Sequence, residues 1–594
     1  MNFTQRHGLK KARSAIRKLI GLPLFWYGLL ALAIMAPLLR PGFVLTLDMV
    51  FTPDIRLPKQ VGSSYVFYGL LHLLNIALPA DFLQKVVLLA TFILMGLGIH
   101  KLIHYADRWQ GRQAGLPVFS LYLAGLFYTV NPFTYERFLT GQYAVLMGYA
   151  LIPWLLCSLL RMLAKPSWRR MAGVTVWAIA LAVLSIHSIV PALLISLLIL
   201  IMQLWRLRGA YRRQWQVLYF CGLAALFWVA ANCYWLAPLA AGQSQTAQTI
   251  DSFTAGDRQA FATTGGSLVE RFGNVLALQG FWGERYKLFI AVQEYVPAWS
   301  ALMIALLLVS IIGGTVVMWR WKQRGLLVAT GSAAILAAIV AAGAGNDWLA
   351  GHIPLFAGYR EPQKFAVLVA LFYAIGLAYG AAGLVRLVRK RARLPITAPA
   401  LWAVLFIVPV LTASALFWGA RGQLQAIQYP DSWSKANREL NRDSGTFQSL
   451  FLPWHLYIYT DFVGRTIANP ATNYFDKPMV VNNDPELNGA ALNKPDATRR
   501  QIAAILATAP RDKSGTELGL LLARHDIKYI VVAKISDYPL YGYLGRQANI
   551  TLLSDHDTLL VYRNDAYDEL KRGRLYQRSQ QDRQDQQQSP APTY

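Results

Sequence analysis

Short clusters of Lys and Arg punctuate this chain at Arg6–Lys18, Lys101–Arg112, Arg161–Arg170, Arg206–Arg213, Arg320–Arg324 and Arg386–Arg393, and Asp107 is the one carboxylate among their 25 basic residues. Long apolar stretches separate them. Lys and Arg resist translocation, so basic segments that recur at every second junction between membrane spans mark the cytoplasmic side. This pattern restricts the chain to a polytopic helical membrane protein and assigns a side to each loop.

Composition agrees. Of 594 residues, 55% are hydrophobic and 15% charged, and the mean hydropathy is +0.34. That is too apolar for an ordinary soluble domain. The net charge of +26 sits in juxtamembrane clusters that suit anionic headgroups of membrane lipids, so no nucleic acid partner is expected. Cys157, Cys221 and Cys233 lie in or beside apolar stretches, which suits neither a disulfide framework nor a zinc site.

A helix needs about 20 residues to cross the hydrocarbon core. On that measure spans are expected near 22–39, 83–104, 117–131, 143–163, 172–186, 188–205, 216–238, 297–319, 326–343, 366–388 and 400–418, eleven in all. With the N-terminus inside, every basic cluster then falls inside and the C-terminus outside. The split at Ser185-Ile186-His187-Ser188 is needed for this. One tilted helix over 172–205 would turn Arg206–Arg213 outward. The expected organisation is a cytoplasmic basic N-terminus (1–21), a membrane domain (22–418) with long outer loops at 40–82 and 239–296, an extracytoplasmic domain (419–570) and a disordered tail (571–594). The first outer loop holds an apolar piece, Tyr65–Leu78, that reads as a helix lying in the outer interface. Strands are expected at Gln448–Leu452, Tyr529–Ala533 and Thr558–Tyr562, and helices at Ser432–Arg442, Arg499–Ala507 and Glu517–Arg524. This makes the C-terminal domain a small α/β or α+β fold.

Ionisable residues gather where spans meet the outer face. Asp48 and Asp54 follow the first span. Each reads as a general base on a hydroxyl, as a ligand to a divalent cation (Mg, Mn or Ca) beside a phosphate, or as a solvated loop carboxylate. The apolar neighbours Leu47 and Met49 predict burial of Asp48, which would raise its pKa toward useful base strength. In Asn131-Pro132-Phe133-Thr134-Tyr135-Glu136-Arg137, followed by Gly141-Gln142-Tyr143, Glu136 and Arg137 read as a second acid and a phosphate-facing cation. The alternative is an interfacial ion pair at a Pro-capped helix end. Arg360-Glu361-Pro362-Gln363-Lys364 is the sharpest local signal. It sets two cations and an acid at the mouth of a span, on the side where positive charge is scarce. Arg offers a planar fork to phosphate and Lys a point charge. The alternative is a Pro-started helix with snorkelling charges. His187 reads as a packed polar residue or a hydrogen-bonding partner for substrate.

Asp48 opening a long first outer loop, a helix along the membrane within it, about eleven spans and an outward C-terminal domain together resemble the GT-C glycosyltransferases, polytopic enzymes that use lipid-phosphate-linked sugars. Asp48 with Pro53, the run Asn131–Arg137 with Gly141-Gln142, and the run Arg360–Phe365 are similar, in order and spacing, to the membrane core of the large actinobacterial arabinofuranosyltransferases. Phe451-Leu452-Pro453-Trp454 and Lys528-Tyr529-Ile530-Val531-Val532 resemble domains that end other GT-C membrane proteins. The chain is far shorter than those enzymes.

The resemblance implies an inverting transfer from a polyprenyl-phosphate sugar to an envelope glycan, lipid or protein outside the plasma membrane. Arg360 and Lys364, with Arg137, would hold the donor phosphate. Asp48 would take the acceptor's proton, and Asp54 or Glu136 would orient the acceptor or share a cation. Glu361, Gln142 and His187 would line the substrate cavity. Two other classes fit the pattern. One is a transporter or flippase of lipid-linked sugar, although no repeat is visible and the spans hold few ionisable groups. The other is a non-catalytic envelope-assembly protein. Asp48, Glu136 and Arg360 are expected to converge on one outward cavity.

Overall fold

The computed structural model describes residues 22–109, 115–353, 355–390, 397–484, 486, 496–508, 517–535 and 537–573. The first basic cluster, parts of the second and last, and most of the tail lie outside them. The chain divides into two units. One comprises residues up to Val44 with Ile55–Ala426, and the other Leu45–Asp54 with Ile427–Tyr594.

In the first unit every expected span is helical. The helices are α1 (Pro23–Met35), α2 (Tyr65–Asn75), α3 (Ala80–Trp109), α4 (Val118–Thr129), α5 (Pro132–Leu139), α6 (Tyr143–Ala164), α7 (Trp168–Leu184), α8 (Ile189–Arg206) and α9 (Tyr211–Ala240). They continue through α10 (Trp299–Arg320), α11 (Arg324–Ala341), α12 (Ala366–Lys390) and α13 (Ala398–Thr412). The expected count of eleven is not met by length and hydropathy. Among the described residues seven helices are long and apolar enough to cross a membrane, and an eighth if a bent pair is one span. That pair is α13 with Ser414–Arg421, bent by 63°. Pro409 lies inside α13, and Ala413 leaves the helical region at φ −143°. The remaining three are short. α1 has 13 residues before a 3-10 turn at Ala36–Leu39 that contains Pro37. α4 has 12, bounded by Pro117 and the Asn131-Pro132 turn. α7 has 17 and stops at the extended Ser185. A 3-10 turn at Ile186–Ser188 then separates α7 from α8, so the split at 185–188 is real.

Helix α12 is the axis of this unit. Its whole apolar window is buried, and it packs on α4, α10 and α11. Small residues allow the approach. A Cβ on Gly376 would stand 2.3 Å from the Ser310 carbonyl oxygen, and one on Gly380 2.0 Å from that of Val309. Both carbonyls belong to a π-helical segment, Leu308–Gly313, inside α10. Close backbone contact through small residues is how membrane helices gain packing energy without a hydrophobic drive.

The described basic turns meet one another. Gln323 Nε2 donates to the Asp107 carbonyl at 3.4 Å, and Arg213 Nη2 to that of Ala164 at 2.8 Å. Arg386 Nη2 donates to the Gly115 carbonyl at 2.8 Å, and the Arg206 guanidinium lies over the Trp109 ring. The ends that carry the basic clusters therefore lie together, as the alternation requires. Helix α2 leaves Val66, Leu70, Leu73 and Ile76 exposed, the apolar face expected of an interfacial helix.

The second unit is α/β. Its strands are β1 (Gln448–Leu452), β2 (Tyr457–Thr460), β3 (Arg465–Ala468), β4 (Met479–Val480), β5 (Ile527–Ala533), β6 (Ile550–Asp555) and β7 (Leu559–Asn564). The main sheet runs β4-β1-β5-β7-β6. Strand β1 is parallel to β4 and β5, while β7 is antiparallel to β5 and β6. Successive strand residues point to opposite faces. Leu450, Leu452, Ile530 and Val532 accordingly join Ile502 of α14 (Ala497–Thr508) and Leu518 and Leu522 of α15 (Glu517–Arg524). Phe451 faces the other way, onto Trp433 and Phe475. Trp433 lies on the helix Asp431–Asn441.

The same unit holds a histidine between two carboxylates. His455 Nδ1 is 2.5 Å from Glu486 Oε2 and its Nε2 is 2.9 Å from Asp537 Oδ2. The hydrogen bond to Glu486, reinforced by Asp537 against the opposing effect of burial, raises the imidazole to about 9. A histidine raised in the fold contributes stability that is complete below its ordinary pKa near 6.5 and is lost as pH rises through the folded value. The unfolding midpoint of the full chain is therefore expected to fall between pH 7 and pH 10, and His455→Gln to flatten that slope. An unchanged slope in the variant would refute the assignment.

Candidate functional site

The Asn131–Gln142 turn is held in place by its own chemistry. Asn131 caps α5, accepting from Thr134 N at 3.1 Å, while its Nδ2 donates to the Phe127 and Tyr128 carbonyls. Pro132 takes the first turn, where no N–H is needed. Every residue of α5 is buried, so Glu136 and Arg137 point into protein.

Arg137 is fully buried and acts as a hub. Its Nη1 donates to Glu361 Oε2 at 3.0 Å and to Gln142 Oε1. Its Nη2 donates to Gln363 Oε1, and the guanidinium lies 4.5 Å over the Phe281 ring. Gln142 Nε2 also donates to Glu361 Oε2, at 3.0 Å, and Lys364 Nζ stands 3.6 Å from Glu361 Oε1. Burial opposes ionisation of Glu361, but Lys364 and Arg137, with Gln142 and Arg360, hold its carboxyl far below the usual range. Arg360 lies between the rings of Phe253 and Phe261, 4.5 and 4.1 Å away. Its Nη1 stands 3.6 Å from Asp257 Oδ1 and, although buried, has no hydrogen-bond partner among the described residues. His187 lies within electrostatic reach of Lys364, Glu361, Arg137 and Arg360, and its carbonyl accepts from Tyr359 Oη at 3.3 Å.

The structure thus brings together Arg137, Gln142, His187, Arg360, Glu361 and Lys364, which sequence reasoning had drawn from three separate motifs. Glu136 joins through Gln363, whose Nε2 donates to its Oε2 at 3.5 Å. Burial first, and then the neighbouring Glu284, push the Glu136 carboxyl well above its usual range, which favours its protonated form. Arg137, Arg360 and Lys364 thus face the paired carboxylates of Glu361 and Asp257, and Glu136 and Glu284 share a further negative charge beside them. Arg137 does not face outward as expected. Its terminal nitrogens are engaged by internal acceptors, so it positions the other groups.

Asp48 and Asp54 belong to the second unit. Leu47 forms a bridge to Ile467 and accepts from Ala468 N at 2.7 Å. Leu47 and Met49 are buried while Asp48 is exposed, so the burial expected for Asp48 is not found. Thr46 and Met49 close a tight turn, Thr46 N donating to the Met49 carbonyl at 3.2 Å and Met49 N to that of Thr46 at 2.7 Å, and Asp48 stands at its tip, where a side chain projects into solvent. Asp48 Oδ1 accepts from Tyr457 Oη at 2.9 Å. Asp54 is also exposed. Among the described residues no three His, Cys, Asp or Glu side chains gather in metal-binding geometry. A cation on Asp48 and Asp54 would therefore need further oxygens from backbone, water or substrate.

Sequence reasoning missed Asp257, Glu284, Gln363 and Tyr457 as participants, and Gln279, whose carbonyl accepts from Gln363 Nε2 at 3.3 Å. Gln363 lies inside a run already singled out, and its neutral amide hid it. The others carry no local pattern.

The chain matches, over residues 66–535, the family described as alpha-(1->3)-arabinofuranosyltransferase, N-terminal GT-C domain. Its structure is similar to that of the arabinofuranosyltransferase AftD from Mycobacteria, with a TM-score of 0.61 at 14% identity, covering 91% of this chain and 40% of that one. A mutant of the same protein gives 0.58 at 13% identity, covering 91% and 41%. ArnT from Cupriavidus metallidurans gives 0.45 at 12% identity, covering 94% and 99%. No curated protein matches in sequence. The chain spans about two fifths of the length of the AftD structures it resembles. A fold shared at such low identity, and a family match over more than half of the chain, agree with the membrane helices and the buried polar cluster described above: this multi-pass membrane protein belongs to the alpha-(1->3)-arabinofuranosyltransferase N-terminal GT-C domain family.

Proposed function

We propose that the chain transfers a sugar from a polyprenyl-phosphate donor to an envelope glycan, lipid or protein on the extracytoplasmic side of the plasma membrane, inverting the anomeric centre. The observation that carries this reading is Arg360, whose buried Nη1 has no acceptor within hydrogen-bond distance among the described residues and only the Asp257 carboxylate at 3.6 Å. A donor phosphate would supply the missing acceptor. Phosphate is a weakly basic leaving group, and its charge grows as the glycosidic bond breaks. Cations already in place stabilise that charge without reorganisation. Lys364 shares the task as a point charge, and Arg137 and Glu361 fix its position. Asp48 takes the proton of the attacking hydroxyl. Asp54 or Glu136 orients the acceptor. No step needs a divalent cation. In this topology the N-terminus is cytoplasmic and the second unit is outside.

Purified protein incubated with a panel of polyprenyl-phosphate sugars and a glycan acceptor is expected to consume one donor, followed by mass spectrometry. Arg360→Lys keeps the charge beside Asp257 but loses the planar fork. Its turnover is expected to fall by about 10²–10³-fold, the effect of losing one aimed donor. No consumption of any donor by the parent protein, or equal turnover in the variant, would overturn the reading.

A further inference from the structure

At the other end of α12 the described residues leave an opening in the bundle. A helix of 25 residues spans roughly 37 Å, so this opening is well removed from the Arg137 cluster. A crevice of about 720 Å³ lies between α4, α12 and α13, with Arg386, Arg389 and Gly115 among its lining and Phe119, Trp402 and Phe406 on its apolar walls. A trough of about 500 Å³ continues from it, since Phe119 and Phe406 line both. The trough adds Trp26, Leu30 and Leu126, and is almost wholly apolar.

The polar end is built. Arg386 is held by its bond to the Gly115 carbonyl and by stacking 4.0 Å over Trp321. Arg389 follows at the next turn and is exposed. Helix α4 starts at Val118 beside Pro117, which also lines the crevice, so its first-turn N–H groups add positive potential there. Two guanidinium groups above a continuous apolar track match one chemistry: a phosphate carried on acyl chains. A zwitterionic headgroup would set its own cation beside Arg389.

We propose that this crevice is a binding site for an anionic glycerophospholipid of the leaflet that borders the basic loops. The headgroup phosphate sits on Arg386 and Arg389, and an acyl chain follows Phe119 and Phe406 toward Trp26. The lipid fills a space between α4 and α13 that side chains leave open.

Native mass spectrometry of the full chain in detergent, titrated with phosphatidylglycerol or phosphatidylcholine, tests this. Parent protein is expected to retain phosphatidylglycerol at several-fold lower concentration than phosphatidylcholine. Arg389→Glu should weaken that retention by about fivefold or more. Lys390→Glu, an equal charge change on an exposed residue outside the lining, should leave it unchanged. Ala403→Trp fills the crevice wall without altering charge, and should weaken retention of both lipids. Equal retention of the two lipids, equal effects of the two charge reversals, or an indifferent Ala403→Trp would each overturn the proposal.

Discussion

Arg137→Met is expected to destabilise the protein by about 3–5 kcal/mol, the usual cost of removing one partner from a buried ion pair. Arg137 has no solvent exposure and serves three acceptors on two segments, Gln142, Glu361 and Gln363. Removing it leaves those oxygens in a site that water does not reach, and leaves Glu361 with Lys364, 3.6 Å away, as its remaining ion-pair partner among the described residues. Methionine keeps contact with Phe281 and fills the volume, so the loss reports polar pairing rather than a cavity. Equilibrium denaturation in detergent measures it. Arg137→Met combined with Glu361→Leu should be more stable than Arg137→Met alone, because no charge is then stranded. A loss below about 1 kcal/mol would mean a hydrated pair of the surface kind, and the cluster would not be the dry scaffold described here.

The second large effect concerns chemistry. Asp48→Asn is expected to lower turnover by about 10²–10⁴-fold, the range for a general base, while donor binding stays at the parental level. The substitution is isosteric and the side chain is exposed, so folding should be preserved. Tyr457→Phe removes the hydroxyl that donates to Asp48 Oδ1. Its cost should be about tenfold, the low end for one hydrogen bond to a charged group, because it orients the base without replacing it. Turnover and donor affinity measured on one preparation separate the roles. Parental turnover in Asp48→Asn would remove the base from the proposal, while a loss of donor affinity would move Asp48 to the binding side.

Much of this protein was legible because its signals are local. Hydropathy over 20 residues located each helix, and Pro or Ser at 117, 132 and 185 marked where helices stop. Those breaks, with the Pro37 turn after α1, also shortened α1, α4 and α7 below the length of a simple span, which a hydropathy window does not register. Strand β1 was read to the residue because a short apolar run, Leu450-Phe451-Leu452, is bounded by polar residues before it and Pro453 after it. The Arg360–Lys364 run stood out for positive charge on the side where it is scarce. Asp48 was misjudged in its surroundings, since the tight turn closed by Thr46 and Met49 puts it at a tip in solvent while Leu47 and Met49 beside it are buried.

The sequence by itself determined the helical membrane class, the alternation of basic ends and the residue types of the polar cluster, because hydropathy and charge act over one or two turns of chain. Only the tertiary structure decided which charges meet. Arg137 and Glu361 are 224 residues apart and Asp48 and Tyr457 are 409 apart, and no local pattern encodes such partners. Those pairs are set by which helix faces and loops the packing of the bundle, and the fold of the α/β unit, bring within hydrogen-bond distance.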